Sequence, residues 1–231
     1  MKTIGLIGGM SWESSLEYYR IINETVREQL GGLHSARIVM HSFDFAQIAE
    51  LQHAGDWDKA AKLLADTAKR LEQAGADILV ICTNTMHKSA NHIQKNVHIP
   101  LLHIADATAE QIMARGLMKV GMLGTKFTME EDFYKGRLSD KHGIEVIIPD
   151  EHERQIVNQI IYDELCVGLI KQDSKEKFHR IMQNLAENGA EGIILGCTEI
   201  CLLVGRQDTG IPLFDTTTIH ATSAARFALS Q

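Results

Sequence analysis

Proline and cysteine are scarce in this chain, with three prolines and four cysteines in 231 residues. So few prolines, with no serine- or glycine-rich stretch, leave nothing that reads as an interdomain linker, and close packing throughout is expected. Four cysteines without a secretory segment make poor disulfide staples and are expected to stay reduced. No apolar run approaches the ~20 residues that span a bilayer. The short run "TIGLIGGM" meets polar "SWESS" without a cleavage pattern, so a cytoplasmic location and no membrane partner are expected. No basic run relieves a balance of 23 Lys and Arg against 30 Asp and Glu, a formal net charge of −7, which argues against nucleic acid as a partner. There is no H-E-x-x-H, and Cys197 and Cys201 lack a second Cys or His pair at structural-zinc spacing, so no metal is expected. Gly5, Gly8 and Gly9 do not make G-x-G-x-x-G, which weakens a nucleotide reading. What remains, 45% hydrophobic and 23% charged, is the composition of a folded globular chain.

The strongest positive feature is a repeat. "GADILVICTNTMH" from Gly75 matches "GAEGIILGCTEIC" from Gly189 without a gap, and that register sets Thr83 opposite Cys197 and Cys82 opposite Gly196. "IPLLHIADATA" from Ile99 resembles "IPLFDTTTIHA" from Ile211, and "KTIGLIGG" from Lys2 resembles "MKVGMLGT" from Met118. Three matched segments at a near-constant offset describe two related halves.

Within each half, strand-length apolar runs alternate with helical patterns. "ILVIC" and "GIILGC" are continuous rather than alternating, as in strands buried on both faces of a parallel sheet. "DWDKAAKLLADTAKRLEQAGAD" places Ala60, Leu63, Leu64, Thr67, Ala68 and Leu71 at helical spacing, starting near an Asp cap and stopping at Gly75. "SKEKFHRIMQNLAENGAE" does the same before Gly189. Strand, helix, strand implies an α/β sheet covered by helices. Ligands of such sheets bind beyond the carboxyl ends of the strands, where Thr83 and Cys197 fall.

Cys197 lies where a strand should turn into a helix, whose N-terminus would favour the thiolate and suit the sulfur to act as base or nucleophile. A small buried hydrophobe is the competing reading. Thr83, on the residues alone, is accounted for as a helix cap. Asn84 and Thr85 suit anion holding, although a strand-to-helix turn explains them without a ligand. Gly124 and Thr125 repeat the glycine turn in the second half. Cys166 and Cys201 read as packed side chains, and the 11 histidines receive no catalytic role.

At these residues the chain resembles the aspartate/glutamate racemase family of cofactor-independent amino acid racemases. The resemblance is carried by "GLIGGMSWES", "CTNTMHK", "LHIADAT", "GMLGT", "IIYDEL", "GCTEI" and "IPLFDTTTIHA", in the family's order over essentially the whole length. It implies two Rossmann-like, three-layer α/β domains with parallel sheets, related by a pseudo-two-fold axis, with the active site in the cleft between them. The first domain is expected over 1–115 plus 216–231 and the second over 116–215. It also implies a homodimer, an amino acid substrate and no cofactor.

By the same resemblance, two cysteines face opposite sides of the substrate α-carbon. The second is Cys197, while the place of the first is held here by Thr83. Cys82 comes one residue earlier and, by strand alternation, should miss the substrate. A hydroxyl is a far weaker acid than a thiol, so Thr83 suits proton donation and not proton removal. Cys197 would then deprotonate L-substrates. Met10, Ser11, Asn84, Thr85, Thr125 and Thr198 would hold the α-carboxylate and ammonium. Gln52 and Cys166 stand near points where some relatives carry a basic residue, which weakens the case for strict acidic specificity. The leading expectation is racemisation of aspartate or glutamate, favouring L to D chemistry. A broad-specificity racemase, a related small-carboxylate isomerase or decarboxylase, and a non-catalytic amino acid sensor are the alternatives.

Overall fold

The apolar runs form strands because their β-branched and leucine side chains bury on both faces of a sheet, each worth about 1.5–3 kcal/mol of transfer free energy. In a computed structural model that describes residues 1–205 and 209–230, the chain divides into two units: Met1–Ile104 with Thr217–Gln231, and Ala105–Thr216.

The first unit contains β1 (Thr3–Gly8), α1 (Trp12–Leu30), β2 (Arg37–Ser42), α2 (Phe45–Ala54), α3 (Trp57–Gln73), β3 (Ile78–Ile81), α4 (Ala90–Gln94) and β4 (Leu101–Leu102), with a 3₁₀ turn over Thr85–Ser89. Helix α5 (Ile104–Met113) opens the second unit from Ala105. It continues with β5 (Lys119–Gly124), α6 (Lys126–Glu130), α7 (Asp132–His142), β6 (Glu145–Ile147), α8 (Glu151–Asp163), α9 (Gln172–Glu187), β7 (Ile193–Gly196), α10 (Ile200–Leu203) and β8 (Leu213–Asp215). Helix α11 (Thr216–Leu229) closes the chain and belongs, from Thr217, to the first unit.

The two sheets are duplicates. Their strand orders are β2-β1-β3-β4 and β6-β5-β7-β8, and every pairing is parallel. Leu6 pairs with Val80 in one and Met122 with Ile194 in the other. The helices before β3 and β7 both end in a left-handed glycine, Gly75 and Gly189, where a side chain would be strained. Helix α3 starts where an Asp was expected to cap it, the Asp56 carboxylate accepting the Lys59 N–H at 3.1 Å. The α/β fold expected from the repeat is therefore observed in each unit.

Alternation along β3 fixes what faces where. Leu79 and Ile81 join Leu64, Ala68 and Leu71 of α3 on one face. Ile78, Val80 and Cys82 pack with Tyr18 and Ile22 of α1 and with Ala221, Ala224 and Ala225 of α11 on the other. In the second unit, α8 and α9 pack on β5. Asp106 of α5 ties down α7, accepting hydrogen bonds from Arg137 Nε (2.7 Å), Lys141 Nζ (2.6 Å) and His142 Nε2 (2.9 Å). Burial alone would raise the Asp106 pKa, but those donors outweigh it and hold the carboxyl below the usual range. Among the described residues no helix is long and apolar enough to cross a membrane.

Candidate active site

The carboxyl ends of neighbouring strands β1 and β3 bring most of the first-half residues into one loop region. The polar string "SWESS" stitches it together. Ser11 caps α1, its Oγ accepting the Ser14 N–H at 3.3 Å. Ser14 Oγ donates to the Cys82 carbonyl at 2.8 Å, tying α1 to the end of β3. Ser15 Oγ accepts the Gly9 N–H at 2.7 Å and donates to the Ser11 carbonyl at 3.0 Å. Gly9 has a positive φ, and a Cβ there would collide with the Phe43 backbone, so only glycine lets the loop run this close to β2.

Met10 is buried among Ile7, Ile81 and Met86. Asn84 and Thr85 are buried where the 3₁₀ turn begins. Gln52 is buried too, and its Nε2 donates to the Met86 sulfur at 3.1 Å. Its amide is thus turned onto the same methionine cluster.

Thr83 lies beyond the last residue of β3 and is half-buried. The cap that its residue type suggests is not formed: the 3₁₀ turn starts from Asn84, without a side-chain cap. The only bond to Thr83 outside regular structure runs to its carbonyl, from His87 Nδ1 at 2.7 Å. Its hydroxyl therefore forms no hydrogen bond among the described residues. Cys82 is wholly buried, and desolvation pushes its thiol pKa far up.

In the second unit, the ends of β5 and β7 carry Thr125, Cys197 and Thr198. Thr125 caps α6, its Oγ1 accepting the Thr128 N–H at 3.4 Å and lying 3.1 Å from Thr128 Oγ1. Gly196 has no room for a side chain, because a Cβ would stand 2.9 Å from the Leu123 carbonyl oxygen. Cys197 and Thr198 are half-buried.

The Cys197 thiol donates to Glu199 Oε2 at 2.9 Å. This corrects the expectation of a depressed pKa. Burial first, and then the Glu199 carboxylate, push the Cys197 pKa well above that of a free thiol. The helix expected to favour a thiolate, α10, is only four residues long, too short to build much of a dipole. Cys197 rests as a neutral thiol whose proton already points at an acceptor.

Two residues of this site were not singled out from the sequence. Glu199 stands two places after the cysteine in "GCTEI", and an acid so close to a candidate nucleophile is a legible signal. Tyr162, in "IIYDEL" near the end of α8, has its pKa pushed up to about 12 by burial first and then by its neighbours Cys197, Cys166 and Glu199, which places its phenol in the same neighbourhood. Among the described residues, no group of three or more His, Cys, Asp or Glu side chains is arranged to hold a metal ion.

Comparison with known proteins points one way. The family model for Asp/Glu/Hydantoin racemases matches residues 7–224. A crystal structure of a candidate Asp/Glu racemase from Yersinia pestis is similar at 56% identity and a TM-score of 0.95, covering 100% of both chains. That of an aspartate racemase homologue from Pyrococcus horikoshii OT3 is similar at 37% identity and a TM-score of 0.88, also over 100% of both chains. The broad specificity amino-acid racemase RacX of Bacillus subtilis (strain 168) is 31% identical over 172 residues, 73% of this chain and 72% of that protein. The chain belongs to the Asp/Glu/Hydantoin racemase family, and it is an isomerase.

Proposed function

We propose that this enzyme inverts the α-carbon of a small amino acid, with aspartate or glutamate as first substrates, through an unequal pair of groups. Cys197 removes the α-proton of the L-enantiomer, and Thr83 delivers a proton to the opposite face. The observation that carries this is the thiol of Cys197 bonded to Glu199, matched at the duplicate strand end by a hydroxyl that forms no bond among the described residues. A thiol with a raised pKa is a poor base until its proton leaves, and Glu199 supplies the acceptor. On this reading Glu199 takes the Sγ proton as substrate binds, the thiolate takes the α-proton, and the carbanion is held by donors around Ser11, Asn84, Thr85, Thr125 and Thr198. Thr83 then donates from the far side and is reprotonated from water, while Glu199 gives the Sγ proton back to solvent, so that each group returns to its starting state. These proton transfers call for neither a metal nor pyridoxal phosphate.

The test is incubation of each common amino acid, as L and D forms, in deuterium oxide, with NMR observation of α-proton loss. Aspartate and glutamate should exchange. No exchange from any of them would remove the racemase assignment. A sensor that binds without turnover would keep its affinity in Cys197→Ser and have no activity to lose.

One observation favours a wider substrate range. Gln52 is an amide occupied by Met86, and Cys166 puts a thiol, not a basic group, on the turn that follows α8. Neither offers a cation to an acidic side chain. Exchange from neutral amino acids at rates near those of aspartate would select the broad-specificity reading.

The partner we assign is a second copy of the chain. Trp12, Leu16 and Tyr19 recur at i, i+4 and i+7 along α1 and stand in solvent, Trp12 64% exposed, and Leu33 beyond the helix is fully exposed. Such a contiguous apolar face is what associating proteins carry. Light scattering should give the mass of a dimer, and Leu33→Asp should lower it. A wild-type monomer overturns the assignment.

A further inference from the structure

We propose that His87 is a positioning residue that fixes the main chain beneath Thr83 and so governs the half of the reaction assigned to that hydroxyl; this rests on the Thr/Cys assignment above. Thr83 needs such a device. It lies two residues past Ile81, the last residue of β3; the Cys82 N–H still donates to the Ile7 carbonyl at 2.9 Å, but among the described residues no ladder bond reaches Thr83 itself. Cys197, at the duplicate place, follows Gly196 directly, and Gly196 is still paired with Gly124 in the sheet. The Cys197 carbonyl is held locally by the Ile200 N–H at 3.2 Å. The Thr83 carbonyl is held from the side by an imidazole at 2.7 Å.

The two bonds to that ring fix its state. A carbonyl can only accept, so Nδ1 carries the hydrogen and donates to Thr83. Nε2 then presents its lone pair to the Ile104 N–H, at 3.2 Å. Both nitrogens are committed to the main chain, one at the end of β3 and one at the start of α5. The ring is buried, and it packs edge-on against His103 at 4.7 Å and His220 at 5.5 Å between centroids. His220 is pinned in turn: its Nδ1 accepts the Tyr18 hydroxyl at 2.7 Å, and its Nε2–H donates to the Leu102 carbonyl at 3.0 Å. An imidazole so enclosed cannot rotate without losing both bonds. In the register of the repeat Cys201 stands where His87 does, so among the described residues no imidazole holds the corresponding place in the second half.

The test separates the two faces of the reaction. In deuterium oxide, inversion of L-aspartate and L-glutamate is followed by circular dichroism, and loss of their α-proton by NMR. His87→Ala should slow inversion by about tenfold to a hundredfold, as expected for a displaced catalytic group. Wash-out of the L-enantiomer's α-proton, the Cys197 half, should stay within about threefold of wild type. His87→Asn, whose amide N–H can reach the place of Nδ1–H, should recover most of the inversion. His87→Phe fills the space without either bond and repeats the measurement should alanine fail to fold. Unchanged inversion in the Ala and Phe variants overturns the proposal. So does an equal loss of both processes that Asn does not relieve, which would make His87 a residue of the fold alone. Thr83→Ala is measured alongside: inversion intact there sinks the Thr/Cys assignment, whereas inversion lost there and kept at His87→Ala sinks only the positioning role.

Discussion

The ends of β3 and β7 occupy the same place in duplicated sheets, yet they carry different side chains held in different ways. At β7 the sulfur of Cys197 hands its hydrogen to a carboxylate two residues on. At β3 the hydroxyl of Thr83 is unengaged and its main chain is clamped by His87. On the proposed mechanism one end takes a proton and the other holds a donor still. A duplicated backbone therefore guarantees only position; what each position does is decided by where the two copies of the repeat differ, Glu199 standing opposite Thr85 and His87 opposite Cys201.

The largest effect should come from removing the sulfur. Cys197→Ser keeps the volume but replaces the thiol by a far weaker acid on the side that must remove a proton, and racemisation should fall by at least about a thousandfold. Circular dichroism of either enantiomer checks it. Residual turnover within tenfold of wild type would mean that the proton-removing group lies elsewhere.

Glu199→Gln comes next, with about a hundredfold loss near neutral pH, because the thiol keeps its place and loses its acceptor. The pH profile separates this from damage to the fold. The Glu199 charge is one cause of the raised Cys197 pKa, after burial. Removing it should bring to lower pH the limb along which kcat/KM for the L-substrate rises as Cys197 loses its proton. A limb that stays in place would show that the carboxylate does not act on the sulfur.

Thr83→Cys sharpens the comparison in the other direction. A thiol at β3 restores a group that can remove a proton as well as give one. Turnover from the D-enantiomer should rise by about tenfold and the two kcat values should converge. The equilibrium ratio stays at one in either protein. D-enantiomer turnover unchanged by the substitution would exclude the β3 end from the chemistry.

The frame of the molecule was readable because it is made of local and periodic features. The glycines before β3 and β7, the apolar runs of "ILVI" and "IILG", and the Asp56-capped spacing of α3 each follow from backbone geometry and burial. The state of Cys197 was not readable. "TEICLL" looks like the opening of a helix, and the length of that helix, which decides whether its dipole matters, depends on packing beyond the segment. His87 was hidden for a related reason. It sits in a conspicuous string, "CTNTMHK", but both of its partners are main-chain groups, and Ile104 is brought to it only by the fold. Sequence patterns report which residues share a face, whereas the bonds that tune this site join side chains to main chain across separate elements.

The smallest effect distinguishes the two units by acid. Burial first, with His87 nearby, lowers the His220 pKa to about 3, against about 6.5 for the same group in an unfolded chain. His220 is thus neutral in the fold and gains a proton on unfolding. Its contribution to stability is complete well above pH 6.5 and is lost as the pH falls from there towards 3. At pH 6 the cost is about fourfold in the folding equilibrium. In the second unit Asp106 works in the opposite window. Its folded pKa is held below the usual carboxylate range, so its contribution persists at pH 6 and fades only as the pH drops through that range and below. Hydrogen exchange read by mass spectrometry at pH 7.5 and pH 6, corrected for intrinsic rates, should therefore show protection falling in peptides from β1, β3 and α11 more than in those from β5 and β7. Equal losses in both sets would mean that the histidine cluster does not set the acid response of the first unit, or that the two units open together.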